Sequence, residues 1–140
     1  MTSGACLCGK YTIRHEGEPQ LKAICHCNDC RKISGSMYST NLFVGADTLK
    51  AEPSDLKQYS KPTDAGNTIT SYFCDNCGTT LWRESTGLPG VKIVKEGVLE
   101  KVSGGKPAVE FYASRRADWV PQITGADQKE EPNKAIAVGT

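Results

Sequence analysis

CHCNDC, residues 25–30, places three cysteines in one short stretch of a chain that contains seven. Disulfides use cysteines in pairs and a closed zinc site takes four ligands, so a group of three has to be completed from elsewhere. The other cysteines fall in two pairs, Cys6 and Cys8 in CLCG and Cys74 and Cys77 in CDNCG. Cys-x-Cys and Cys-x-x-Cys spacings are poor geometry for a disulfide but good geometry for a metal knuckle, and an odd total leaves one thiol over in any disulfide scheme. The chain reads as a thiol-rich metal-binding or redox protein of a reducing compartment.

A glycine sorts the cysteines. Cys8 is followed by Gly9 and Cys77 by Gly78, whereas Cys30 is followed by Arg31. After the second sulfur of a knuckle the backbone often needs φ > 0, or a backbone NH free to face sulfur, and glycine supplies both without steric cost. Cys6, Cys8, Cys74 and Cys77 therefore pair as one four-thiolate site. Such a site is closed and structural, and it would clip the amino-terminal strand to the middle of the chain. A different partition, a single shared site or an iron centre are the alternatives.

Cys25, Cys27 and Cys30 remain. On an extended segment residues two apart face the same side, so Cys25 and Cys27 can reach one metal while Cys30 returns to it over the first turn of a helix, and His26 points the other way. A tri-thiolate zinc with an open fourth position is the catalytic type of site. Two other readings stay open: His26 closes a structural site as fourth ligand, or the trio is a set of reduced thiols with one reactive member.

Away from the cysteines the signals are plainer. With 17 basic and 16 acidic residues among 140 and a net charge of +1, the chain has no bulk signature for nucleic acid or an anionic membrane. No apolar run reaches signal-peptide or membrane-span length, so a soluble cytoplasmic protein is expected; oligomeric state is not legible. One zinc-binding domain is expected over residues 1–124, followed by a polar, flexible tail over 125–140. Frequent Gly and Pro cut the chain into segments suited to strands, expected at 10–14, 22–27, 39–44, 68–73, 80–83, 91–95 and 109–113. One short helix is expected over 29–34, capped by Asn28. Residues 46–67 read either as a hairpin with a loose tip or as a mobile flap. The fold class is mostly β, with antiparallel pairing dominant.

Three thiolates on a zinc dication leave a net negative complex, a weak Lewis acid that holds sulfur well. A substrate thiol in the fourth position would be bound as thiolate, so the favoured chemistry makes or breaks a bond to sulfur. Arg31 and Lys32, next to the trio, are the candidate contacts for an anionic substrate group. Arg115 and Arg116 could contact substrate carboxylates but are read mainly as braces for a terminal strand beside a buried Trp119, and Tyr38, Phe43, Tyr72, Phe73 and Trp82 as core.

CLCGKYTI, ICHCNDCRKISGSMYSTNLFV, YFCDNCGTTLW, VKIVKEGVLE and EFYASRRADWVP together resemble the glutathione-dependent formaldehyde-activating enzymes, a family that includes the centromere protein V relatives. The resemblance covers roughly 3–121 and keeps every cysteine in the family's order. It implies a β-tent type fold, with small antiparallel sheets around two zinc sites and one short helix after the second cysteine cluster. It further implies structural zinc at Cys6, Cys8, Cys74 and Cys77, and catalytic zinc at Cys25, Cys27 and Cys30. The implied activity is a carbon–sulfur lyase acting as an S-(hydroxymethyl)glutathione synthase, with glutathione as the small-thiol partner. The competing functions are a non-catalytic zinc module for a protein or small thiol, and a thiol redox or metal-storage protein.

Overall fold

The computed structural model describes residues 1–101 and 105–131. Its strands run β1 (Thr2–Ala5), β2 (Thr12–His15), β3 (Leu21–Cys25), β4 (Ser39–Gly45), β5 (Leu49–Glu52), β6 (Lys57–Pro62), β7 (Thr68–Phe73), β8 (Thr80–Ser85), β9 (Val91–Lys95), β10 (Val109–Phe111) and β11 (Asp127–Gln128), with one α-helix, α1 (Asn28–Ser34). They form a three-stranded sheet, β1-β2-β5, and an eight-stranded sheet, β11-β10-β3-β4-β9-β8-β7-β6. The mostly β fold expected from the punctuation by Gly and Pro is what forms. Pairing is antiparallel except where β10 lies parallel to both β3 and β11.

Period-two alternation explains how the larger sheet carries a core on each face. Along β4, Leu42 and Val44 pack into one apolar cluster and Phe43 into another. Along β9, Val94 joins the first cluster while Val91 and Ile93 join the second, as successive side chains on a strand must. Cys6 and Cys74 belong to the first cluster, with Tyr11, Ile13, Leu81 and Trp82; Cys25 and Cys30 belong to the second, with Phe111 and Leu88. Each cysteine group is thus built into its own core.

Residues 46–67 turn out to serve both sheets instead of folding back on themselves. A 3-10 turn at Ala46–Thr48 leads into β5, which pairs with β2, and the chain then crosses to β6, which pairs with β7. β6 is an edge strand, almost wholly exposed and carrying Lys57, Lys61 and Pro62, residue types that discourage further strand addition.

Three expectations need correction. The helix is capped not by Asn28 but by Cys27, whose Sγ accepts the Cys30 NH at 3.3 Å, because a cysteine turned toward its neighbours already sits where the first free NH points. Trp119 is 73% exposed, not buried. The polar stretch beyond Thr124 does not leave the domain: Asp127 NH donates to Ala108 O, Lys129 NH to Glu110 O and Tyr112 NH to Glu130 O. These residues attach through backbone hydrogen bonds, which an apolar pattern does not report; 132–140 lie outside the described residues.

Candidate metal centres

The four-cysteine group assembles as the glycines indicate. Gly9 and Gly78 adopt φ of 80° and 79°, turning the chain so that NH groups face sulfur: Tyr11 NH to Cys6 Sγ at 3.3 Å, Asn76 NH to Cys74 Sγ at 3.3 Å and Cys77 NH to Cys74 Sγ at 3.4 Å. The Sγ atoms of Cys6, Cys8, Cys74 and Cys77 all lie within 4.8 Å of one another. Burial pushes the Cys74 thiol up to about 11, whereas the Thr79 hydroxyl and backbone NH bring Cys77 down to about 5. Lys10 pairs with Asp75 at 2.6 Å across the two knuckles. Four sulfur donors at this separation fit a tetrahedral zinc, with no position left over.

Cys25, Cys27 and Cys30 form the second group, again within 4.8 Å of one another. Cys25 ends β3, Cys27 caps α1 and Cys30 is the buried residue of its first turn. His26 faces away, as alternation requires, and is fully buried: its Nε2 donates to Glu110 Oε1 at 2.8 Å. Neither ring nitrogen joins the sulfur group, so the geometry does not support His26 as a fourth ligand. Within the trio, hydrogen bonds from Cys25 and Cys27, followed by the Lys95 charge, hold Cys30 far below the ordinary thiol range, while Cys25 is pushed up by its hydrogen bonds to the other two and by burial. A divalent cation bound here has to displace the protons that remain on sulfur.

The trio opens onto a cavity of about 500 Å³. Its cationic lining residues are Lys61, Arg83, Lys95 and Arg115, of which the sequence raised only Arg115 as a substrate contact, with bracing the preferred reading. Arg83 is 5% exposed; its Nε donates to Ser71 Oγ at 2.9 Å and its Nη2 reaches Asp29 at 3.4 Å. Lys61 pairs with the other oxygen of Asp29 at 2.7 Å. Lys95 donates to Asn41 Oδ1 at 2.8 Å, and burial lowers its pKa. Arg31 and Lys32, by contrast, are exposed and line a separate depression with Met37 and Trp119. Adjacency in sequence misled here: on a helix, successive residues are about 100° apart, so the neighbours of an inward cysteine turn outward.

Glu110 is the other residue the sequence concealed. It is fully buried on β10 and accepts from His26, Gln128, Arg116 and the Ile123 NH. Burial works against its ionisation, yet the donors, led by Gln128 and the Ile123 NH, hold its carboxyl at about 2. Arg116 thus braces, as expected, while Arg115 lies over the Tyr112 ring at 5.1 Å on the cavity side.

The chain is a two-sheet β domain with one four-cysteine group and one three-cysteine group at a cavity, each of which could hold a metal ion. A sequence model of the family described as glutathione-dependent formaldehyde-activating enzyme matches residues 1–115, and the chain belongs to that family. No curated protein matches it significantly. Among solved structures, the crystal structure of a Rhodobacter sphaeroides protein is similar in fold, with a TM-score of 0.56 and 22% identity over 72% of this chain and 90% of the other. No helix among the described residues is long and apolar enough to cross a membrane.

Proposed function

We propose that the protein is a zinc-dependent carbon–sulfur lyase that adds glutathione to an aldehyde, formaldehyde in the family's description, and releases it again. The observation that carries this reading is the open trio: three cysteine sulfurs within 4.8 Å of one another at the wall of a cavity, with the adjacent histidine committed to Glu110. Zinc held by Cys25, Cys27 and Cys30 would supply a fourth position that binds a thiol as thiolate. His26 turned toward the trio would make a closed site of three thiolates and one imidazole; the all-sulfur set present here fits zinc and favours sulfur chemistry.

The protein's own residues supply binding and orientation. Lys61 and Arg83 are already tied to Asp29, so we assign to Lys95 and Arg115 the anchoring of a tripeptide's carboxylates that Arg31 and Lys32 do not reach. Asp29, fixed by Lys61 and Arg83, ties the helix bearing Cys30 to β6 and β8 and holds the sulfur geometry against the cavity. In the forward direction the carbon–sulfur bond forms and the thiol proton ends on the former carbonyl oxygen; in reverse the same bond breaks.

Native mass spectrometry with added glutathione, paired with turnover assays of Cys27→Ser, tests the reading. Two zincs per chain and one bound glutathione are expected for the natural protein. Cys27→Ser should keep its fold and one zinc while losing turnover at least about 100-fold. Full turnover in that variant would falsify the assignment.

A further inference from the structure

Five of the cavity's lining residues, Phe43, Leu88, Ile93, Phe111 and Tyr112, are apolar or aromatic and form an apolar wall, beside polar lining that includes Asp29, Asn41, Lys95 and Glu131. The apolar wall belongs to the same packed cluster as Cys25 and Cys30, with Cys27 and Tyr112 against its margin, so the sulfur trio has aliphatic and aromatic neighbours as well as the Lys95 charge. Phe43 and Phe111 meet there with ring centroids 5.8 Å apart. Tyr112, also on this wall, holds a left-handed backbone at φ 52°, the one non-glycine residue to do so among those described. A bulky residue held in that region marks a position that the surrounding structure over-determines.

A one-carbon electrophile is small and polar and would cover almost none of this surface. From this mismatch we infer that the group carried on the thiol's sulfur is larger and apolar. The substrate class is a glutathione adduct of an aldehyde with an alkyl or aryl side chain, seated against Phe43, Leu88, Ile93, Phe111 and Tyr112. The inference rests on the glutathione reading above and specifies its second reactant. The chemistry balances as before: the thiol adds across the C=O of the aldehyde, the new bond joins sulfur to carbon, the proton passes to oxygen, and no oxidant is involved.

Stable thioethers separate the two claims. Titration calorimetry of the zinc-loaded protein would compare glutathione with S-methyl-, S-butyl-, S-hexyl- and S-benzylglutathione. Burial of each added methylene is worth about fourfold in affinity, so S-hexyl should bind at least about 50-fold more tightly than S-methyl. Leu88→Phe narrows the apolar wall and should remove most of that ratio. Ile69→Phe, at a half-buried cavity position less critical for folding, serves the same purpose. Thioethers that bind no better as the substituent lengthens, while glutathione itself binds, would overturn the inference and leave the glutathione reading standing. A length dependence that neither variant alters would place the apolar contact elsewhere and overturn it too. Failure of glutathione and every thioether to bind would bring down the glutathione reading and this inference with it.

Discussion

Gly78 shows how one residue can carry a structural decision. Its φ of 79° is left-handed, and a Cβ built there meets nothing within 4 Å, so space is not the constraint. The cost of a side chain is conformational, about 1–2 kcal/mol for an L-residue in that region. Gly78→Ala should therefore lower the denaturation free energy of the zinc-loaded protein by about that amount, read from the denaturant midpoint at constant slope. A change below a few tenths of a kcal/mol would mean that the knuckle does not depend on this backbone conformation. The same glycines made the partition of the cysteines legible in the sequence, because a positive φ after a ligand leaves a compositional trace. Glu110, Asp29 and Lys95 left none. A charged residue inside a strand or a short helix looks like a solvated one until its partners, distant in sequence, are known.

Among the elements, β10 and β11 show what periodicity misses. The triplet Val109–Phe111 is buried at every position, and its central residue is a carboxylate. β11 is exposed at both positions and attaches through the backbone and through Gln128, whose Nε2 donates to Glu110 Oε2 at 2.8 Å. The strands whose apolar residues alternate or cluster, β4, β7 and β9, lay where the sequence placed them; a two-residue polar strand has no such pattern to read. The consequence is testable by pH. Glu110 is held at about 2, below its ordinary 4.5, so its stabilising contribution is fully present above about 4.5 and is lost as pH falls toward 2. Glu110→Gln puts an NH₂ group among donors and leaves Arg116 without its buried charge partner, which should cost about 2–4 kcal/mol near neutral pH. The gap between the two proteins in thermal midpoint should be constant above pH 4.5 and narrow below it. A gap that stays constant down to pH 2 would show that Glu110 is not held ionised by its neighbours.

For the whole molecule, the two cysteine groups differ in how much chain they constrain. Cys8 and Cys74 stand 3.7 Å apart at sulfur across 66 positions, joining the end of β1 to the end of β7 and so one sheet to the other. Cross-linking a loop of that length removes roughly 4 kcal/mol of unfolded-chain entropy. Cys25, Cys27 and Cys30 close no comparable loop, and β3 and α1 are already fixed by pairing with β4 and by the ion pairs of Asp29. A graded chelator titration should therefore proceed in two stages. The first metal leaves the trio, through the cavity, with the far-ultraviolet circular dichroism unchanged; the second leaves the four-cysteine group together with loss of the β signal. Cys74→Ser should destabilise by about 4 kcal/mol or more, and Cys27→Ser by less than about 2 kcal/mol, because only the first opens the long loop. Simultaneous release of both metals with unfolding would show instead that the trio supports the fold as much as the closed site does, and an exchangeable position for substrate sulfur would then be hard to sustain.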